Sequence, residues 1–97
     1  MYLTIREYRI PPEHIDEVVK RVDTGWLDAV AQMHGFVGYE VAKVGDDRLV
    51  SVTTFLEAEG SERAAEASAE WVGAHLMDLD VQFVDMRRGP VVVHGGG

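Results

Sequence analysis

Trp71 and His75 lie four residues apart and are the residues of this chain best placed for chemistry. On a helix that spacing sets the two side chains one turn apart on one face, projecting together. An imidazole there can serve as a general base near neutral pH, because its ordinary pKa lies close by. Tyr39 supplies a phenol able to hydrogen-bond an anionic oxygen. Trp26, Phe55 and Tyr8 supply ring surface for a small molecule. Arg6 is a cation on the first predicted strand. Turned inward, it needs a carboxylate such as Glu40 or a bound anion, because an unpaired buried charge is costly. Turned outward, it is an ordinary exposed residue on a strand edge, and that is the reading the sequence favours. Each candidate has a plain structural counterpart: His75 can fill space at the rim of a core, and tryptophans at helical core spacing are packing residues in most proteins.

Other chemistries lack their residues. There is no cysteine, so thiolate and disulfide chemistry are absent. His14, His34 and His94 share no metal-ligand spacing with one another or with a carboxylate cluster, so a dedicated metal site is not expected. No serine elbow, phosphate-binding glycine loop or dinucleotide fingerprint is present. The formal net charge of −8 repels phosphate backbones and argues against nucleic acid as a partner. No apolar run approaches the roughly 20 residues of a membrane helix. No basic leader precedes an apolar segment at the N-terminus, and a cytoplasmic location is expected.

The 97 residues, 46% of them hydrophobic, are enough for one domain with a single core, spanning 1–97. Tyr2 to Ile10 reads as a strand ended by Pro11-Pro12. Ile15, Val18, Val19, Val22, Trp26, Val30 and Met33 then recur at helical spacing and predict an amphipathic helix from Pro12 to Met33, stopped by His34-Gly35. Gly25 inside it permits either close packing or a bend. Two strand-like runs between Gly35 and Phe55, joined by Gly45-Asp46-Asp47, predict a hairpin. Ser61 is the expected N-cap of a second helix from Glu62 to Leu79. Its alanine-rich first half can lie close to a sheet. A last strand is expected from Asp80 to Arg88, broken by Gly89-Pro90. Val91 to His94 form a short apolar extension, and Gly95-Gly96-Gly97 a frayed end.

The order βαββαβ is the ferredoxin-like split βαβ pattern, an α+β fold with an antiparallel sheet. Neither sheet face reads as polar. Phe36, Ala42 and Val44 are expected to oppose Val37, Tyr39 and Val41. Leu49 and Phe55 should oppose Val50 and Val52, and Val81 and Phe83 should oppose Val84 and Met86. Two helices can cover only one face. The other is expected to pack against a second copy, making a homodimer with sheets face to face.

The run Gly35-Phe36-Val37-Gly38-Tyr39 after the first helix resembles the antibiotic-biosynthesis-monooxygenase (ABM)-like domains of the dimeric α+β barrel superfamily. So do Val52-Thr53-Thr54-Phe55 before the acidic Glu57-Ala58-Glu59, Trp71-Val72-Gly73-Ala74-His75, and the closing Gly89-Pro90-Val91-Val92-Val93. The resemblance covers nearly the whole chain and implies a site in the cleft between sheet and helices. It implies one of three functions. The first is a cofactor-independent monooxygenase acting on an aromatic or polyketide-like molecule. There the base, His75, deprotonates a phenol, Tyr39 or Arg6 holds the phenolate, and Trp71, Phe55 and Trp26 line the pocket. The second is a non-catalytic dimeric ligand-binding or stress-associated protein. The third is a heme-binding or heme-degrading relative with His75 as the iron ligand. Arg6 stands where the heme enzymes resemble one another in an asparagine, and Trp71 lies late in the helix where theirs lies early, so no cofactor is the expected state.

Overall fold

The computed structural model of the protein describes residues 1–96; Gly97 lies outside them. Strands β1 (Tyr2–Arg9), β2 (Phe36–Lys43), β3 (Arg48–Phe55) and β4 (Gln82–Pro90) form one antiparallel sheet in the order β2-β3-β1-β4. This is the ferredoxin-like arrangement the pattern predicts. The helical layer lies on one face. It comprises a 3-10 turn (Pro12–His14), α1 (Ile15–Arg21), a π-wound turn (Val22–Trp26), α2 (Leu27–Ala31) and α3 (Ala58–His75), with a second 3-10 turn at Met77–Leu79. No helix is long and apolar enough to cross a membrane among the described residues.

The first helix is therefore not uniform, and its apolar spacing supplies a reason. Val18, Val22, Trp26 and Val30 recur every four residues, and all but the half-buried Val22 are fully buried. On a regular α-helix each step of four drifts by about 40° around the axis. The wider π turn takes up that drift and keeps the four side chains on one stripe. Gly25 lies within this turn, and a Cβ there would come within 3.1 Å of Trp71 Cζ2. Close packing is thus its role. The helix ends at Ala31, two residues before the expected Met33, and Gly35 at φ 83° lies in the turn that leads into β2.

Several boundaries move. α3 begins four residues before the expected Glu62, and Ser61 is not its cap. Ser61 is instead buried within the first turn, its hydroxyl 2.6 Å from that of Thr4 on β1. Gly60 lets this turn settle onto Phe55. Asp80 does not start β4; it adopts a left-handed conformation at φ 55°, one that aspartate tolerates, and turns the chain into the strand. Gly89-Pro90 does not break β4, which continues opposite Tyr2. The Val91 N–H donates to the Met1 carbonyl at 2.9 Å, so the nitrogen of Pro90 faces the free edge, where no donor is needed. Val92 and Val93 beyond it are exposed and have no regular structure.

Two bulges correct the expected faces. One between Phe36 and Gly38 brings Phe36 onto the side of Tyr39 and Val41, where its ring meets Phe55 edge-on at 5.9 Å. The other, opposite Glu7/Tyr8, leaves Val84 as the extra residue and sets Phe83 and Met86 on one side. A simple alternation cannot foresee either, because a bulge shifts the side-chain phase by one residue. β3 alternates as expected, with Leu49, Ser51 and Phe55 buried under the helices and Val50 and Val52 half-exposed opposite. The outer face carries Leu3, Ile5, Val50, Val52 and Ala42 at its centre.

Gly60 gives the sharpest test of this packing, since a Cβ there would lie 2.8 Å from Phe55 Cδ1 and 3.4 Å from the His34 carbonyl. Phe55 is fully buried and has little room to retreat. Gly60→Ala is expected to destabilise the protein by about 1–3 kcal/mol in chemical denaturation, despite the higher helix propensity of alanine.

Candidate functional site

The helix–sheet interface holds two connected hollows. An inner cavity of about 40 Å³ lies beneath Trp71, with Trp26, Tyr8, Tyr39 and Ser68 among its walls. An outer cleft of about 250 Å³ lies between α1 with its π turn and strands β2 and β3, lined by Val19, Val22, Asp23, Leu27, Tyr39, Val41 and Leu49. Val22, Tyr39, Val41 and Leu49 border both volumes. The cleft is slightly below the roughly 300 Å³ at which small-molecule sites begin, so a ligand of any size joins the two.

Trp71 organises the inner end. Its indole packs on Trp26 at 6.2 Å between ring centroids and on His75 at 4.9 Å. The three rings form a ladder from the core outward. His75 is its exposed end and borders neither hollow. The end of α3 is clamped by Arg21, which donates to the His75 carbonyl at 2.7 Å, to both oxygens of Asp78 at 2.8 and 3.2 Å, and to Glu17 at 2.8 Å. The Arg21 hydrogen bond holds the Asp78 carboxyl below the usual range. Phe55, expected in the pocket wall, is wholly buried against Phe36 and Ala64 and acts through the core.

Tyr39 borders the cavity, the cleft and a narrow slot of about 10 Å³ shared with Arg6, Ser51 and Ser68. That slot has room for about one water-sized group. Burial, reinforced by the neighbouring Tyr8, pushes the Tyr39 phenol well above its ordinary value, against the opposing pull of Ser51 and Arg6. Tyr39 is therefore a hydrogen-bond donor at neutral pH and not a base.

Arg6 does not point out from a strand edge. β1 lies between β3 and β4 and has no free edge, and its even-numbered residues face the helices. Arg6 Nε donates to the Tyr8 hydroxyl at 2.8 Å, and Nη1 approaches the Ala65 carbonyl at 3.4 Å. Glu40, the carboxylate expected for an inward Arg6, stands on the opposite face of the sheet. Ser51 and Ser68 were not singled out in the sequence. Ser51 had a legible signal, a lone hydroxyl on the Leu49–Phe55 face of an otherwise apolar strand.

The residues do not make a heme site as they stand. His75, the candidate ligand, is stacked on Trp71 outside the cavity, and the space beneath Trp71 is far smaller than a porphyrin. No cluster of three or more His, Cys, Asp or Glu residues suited to a metal ion occurs among the described residues.

No protein-family model and no curated protein matches the chain. Solved structures share its fold. A dimeric ferredoxin-like protein from an uncultured marine organism superposes with a TM-score of 0.77 at 17% identity, covering 100% of both chains. A variant of MhuD with two manganese protoporphyrin IX bound per active site gives 0.78 at 23% identity, again with 100% of both chains covered. A variant of SnoaB from Streptomyces nogalater, a cofactor-independent oxygenase, gives 0.67 at 13% identity over 96% of this chain and 94% of that one. At these identities the likeness is one of fold. The resemblance read from the sequence holds at that level: the architecture is the ferredoxin-like α+β fold of these proteins.

The perturbed phenol is open to direct titration. Tyr39 is expected to ionise above the ordinary tyrosine value, and Tyr39→Phe to remove that late step from the tyrosinate absorbance curve. Folding stability should hold up to about pH 10, the ordinary tyrosine value. It should then fall with rising pH, because the unfolded chain releases a proton that folded Tyr39 retains. A Tyr39 that ionises at the ordinary tyrosine value would contradict its burial.

Proposed function

We propose that this protein binds an electron-rich aromatic molecule in the helix–sheet cleft and oxygenates it without a bound metal or flavin. The observation that carries the reading is Tyr39, a half-buried phenol that lines an apolar pocket beneath Trp71. A substrate phenolate is the natural acceptor for such a donor, and the water-poor walls strengthen that hydrogen bond. Trp71 and Trp26 hold the ring, with Phe55 behind them and Arg6 at the polar end. His75 is the proposed proton acceptor at the rim, reached when the stack on Trp71 opens. The phenolate so formed reacts with dioxygen itself. Kinship of fold with a cofactor-independent oxygenase supports this reading. A non-catalytic binding protein is the second reading, favoured by the small inner cavity and by the exposure of His75.

Dioxygen consumption with electron-rich phenols such as anthrones separates the two. His75→Ala is expected to lower the rate by about 10²-fold or more, as for loss of a general base. Tyr39→Phe should cost about 10²-fold through loss of the oxyanion donor. Rates equal to wild type in both variants would remove these roles, and no consumption with any phenol would leave only binding. Hemin should produce no Soret change that depends on His75.

The unit is proposed to be a homodimer joined through the outer sheet face, where Leu3, Ile5, Val50 and Val52 form an apolar centre that no helix covers. Ile5 is 36% exposed in the single chain. A fold relative is itself a dimeric ferredoxin-like protein. Val52→Asp would bring two carboxylates into that contact. It should convert the dimer to a folded monomer in sedimentation at micromolar concentration, whereas a wild-type monomer would refute the assembly.

A further inference from the structure

The acidic balance of this chain makes one cation stand out. Arg9, Arg21, Arg48, Arg87 and Arg88 each reach a carboxylate: Asp47, Glu17 with Asp78, Glu7, Asp85 and Glu62 respectively. Arg63 is exposed on α3. Arg88, opposite Thr4, leaves the sheet on the helix side and meets Glu62 of α3, whereas Arg6, on the same side, has no carboxylate within salt-bridge distance among the described residues. In a chain of net charge −8, a half-buried arginine without an acidic neighbour is a conspicuous omission. Unpaired charge at such a place is costly unless something from outside completes it.

The guanidinium is also held in a defined pose. It lies over the Tyr8 and Phe83 rings, its carbon 5.8 and 5.3 Å from their centroids. Nε is engaged by the Tyr8 hydroxyl at 2.8 Å. Nη1 has only a long contact to the Ala65 carbonyl at 3.4 Å and a sulfur contact to Met86 at 3.9 Å. Nη2 makes no hydrogen bond to a described residue. Of the two nitrogens on the Nη edge, Nη2 is thus free and Nη1 is held only by long contacts. That edge is the half of the fork that matches a carboxylate. Arg6 also borders the slot it shares with Tyr39, Ser51 and Ser68, and Tyr39 borders the cleft as well, so a single phenol stands between the cation and the cleft.

We propose that the Nη edge of Arg6 is an anion subsite, and that the molecule taken by the cleft is an aromatic carboxylate rather than a neutral arene. The proposal rests on the cleft reading given above and adds the charge of its ligand. The ring lies along the apolar wall, the phenol oxygen meets Tyr39, and the carboxylate pairs with Arg6. The net charge of the protein opposes this binding from a distance, so a preference for the anion must come from the local site.

Calorimetric titration of the full chain with salicylate and with salicylamide tests it, since salicylamide keeps the ring and phenol but replaces the carboxylate by a neutral amide. Salicylate is expected to bind about tenfold tighter or more, the gap of a charge-assisted hydrogen bond over a neutral one. Arg6→Gln should narrow the gap to about twofold, and Arg6→Lys should retain part of it because an ammonium pairs but does not fork. Equal affinities in the wild type, a gap that survives Arg6→Gln, or no salicylate binding would each overturn the subsite. The wild-type comparison stands whether or not the variants fold. Arg6-dependent salicylate binding without dioxygen consumption by any phenol would sink the oxygenase reading and leave the subsite. Consumption of neutral phenols with no preference for the anion would do the reverse.

Discussion

The contact of Trp71 with the glycine-bearing π turn sets the spacing on which the site depends. An indole from α3 lies where a Cβ on residue 25 would come within 3.1 Å, so the two helices approach as closely as a bare backbone permits. Trp26, the last residue of the same turn, packs on the other side of the indole. This wedge closes the helical layer over the middle of the sheet. It leaves a small void below, roofed by Trp71 and floored by Tyr8, Tyr39 and Leu49. A regular α-helix through residues 22–26 would rotate Trp26 and Val30 away from the stripe of Val18 and Val22. The π turn, the glycine and the tryptophan are therefore one device.

Around that wedge the polar groups are sorted by what satisfies them. Thr4 and Ser61 satisfy one another between β1 and α3. Arg21 ties α1 to the end of α3 through Asp78 and the His75 carbonyl. Tyr39 is half-buried beside Ser51, and Arg6 has a phenol and rings about it but no carboxylate. Both groups lie at the same slot. The proposed anion subsite is this corner beside an apolar cavity, in a protein of net charge −8.

The outer face of the sheet poses a separate demand. Its apolar centre is too broad to be explained by single exposed residues, and the helical layer cannot reach it. Phe83, Val84 and Met86 add exposed apolar surface along β4, where the helical layer ends short of the edge strand. Burial of the outer face against a second copy would remove the largest share of this surface and would leave the helix–sheet cleft of each subunit open at its outer side.

What the sequence determined by itself was the order and type of the elements, the two-sided apolar sheet, and the pairing of Trp71 with His75 on one helix face. These follow from periodicities of two and about 3.6, which are local and survive without neighbours. Tyr39, Trp26 and Trp71 were legible as residues lining the helix–sheet hollow because large rings at core spacing have few other places to go. Tertiary structure alone decided four things. The bulges at Val37 and Val84 changed which side Phe36 and Met86 face, because a bulge is set by pairing with a partner strand. Arg6 turned inward because β1 became a central strand, a matter of sheet order and not of local pattern. His75 came to rest outside Trp71, and Ser61 became a buried tether instead of a cap. For the bulges, Arg6 and Ser61 the deciding interaction joins residues far apart in the chain, and no window of sequence contains both partners.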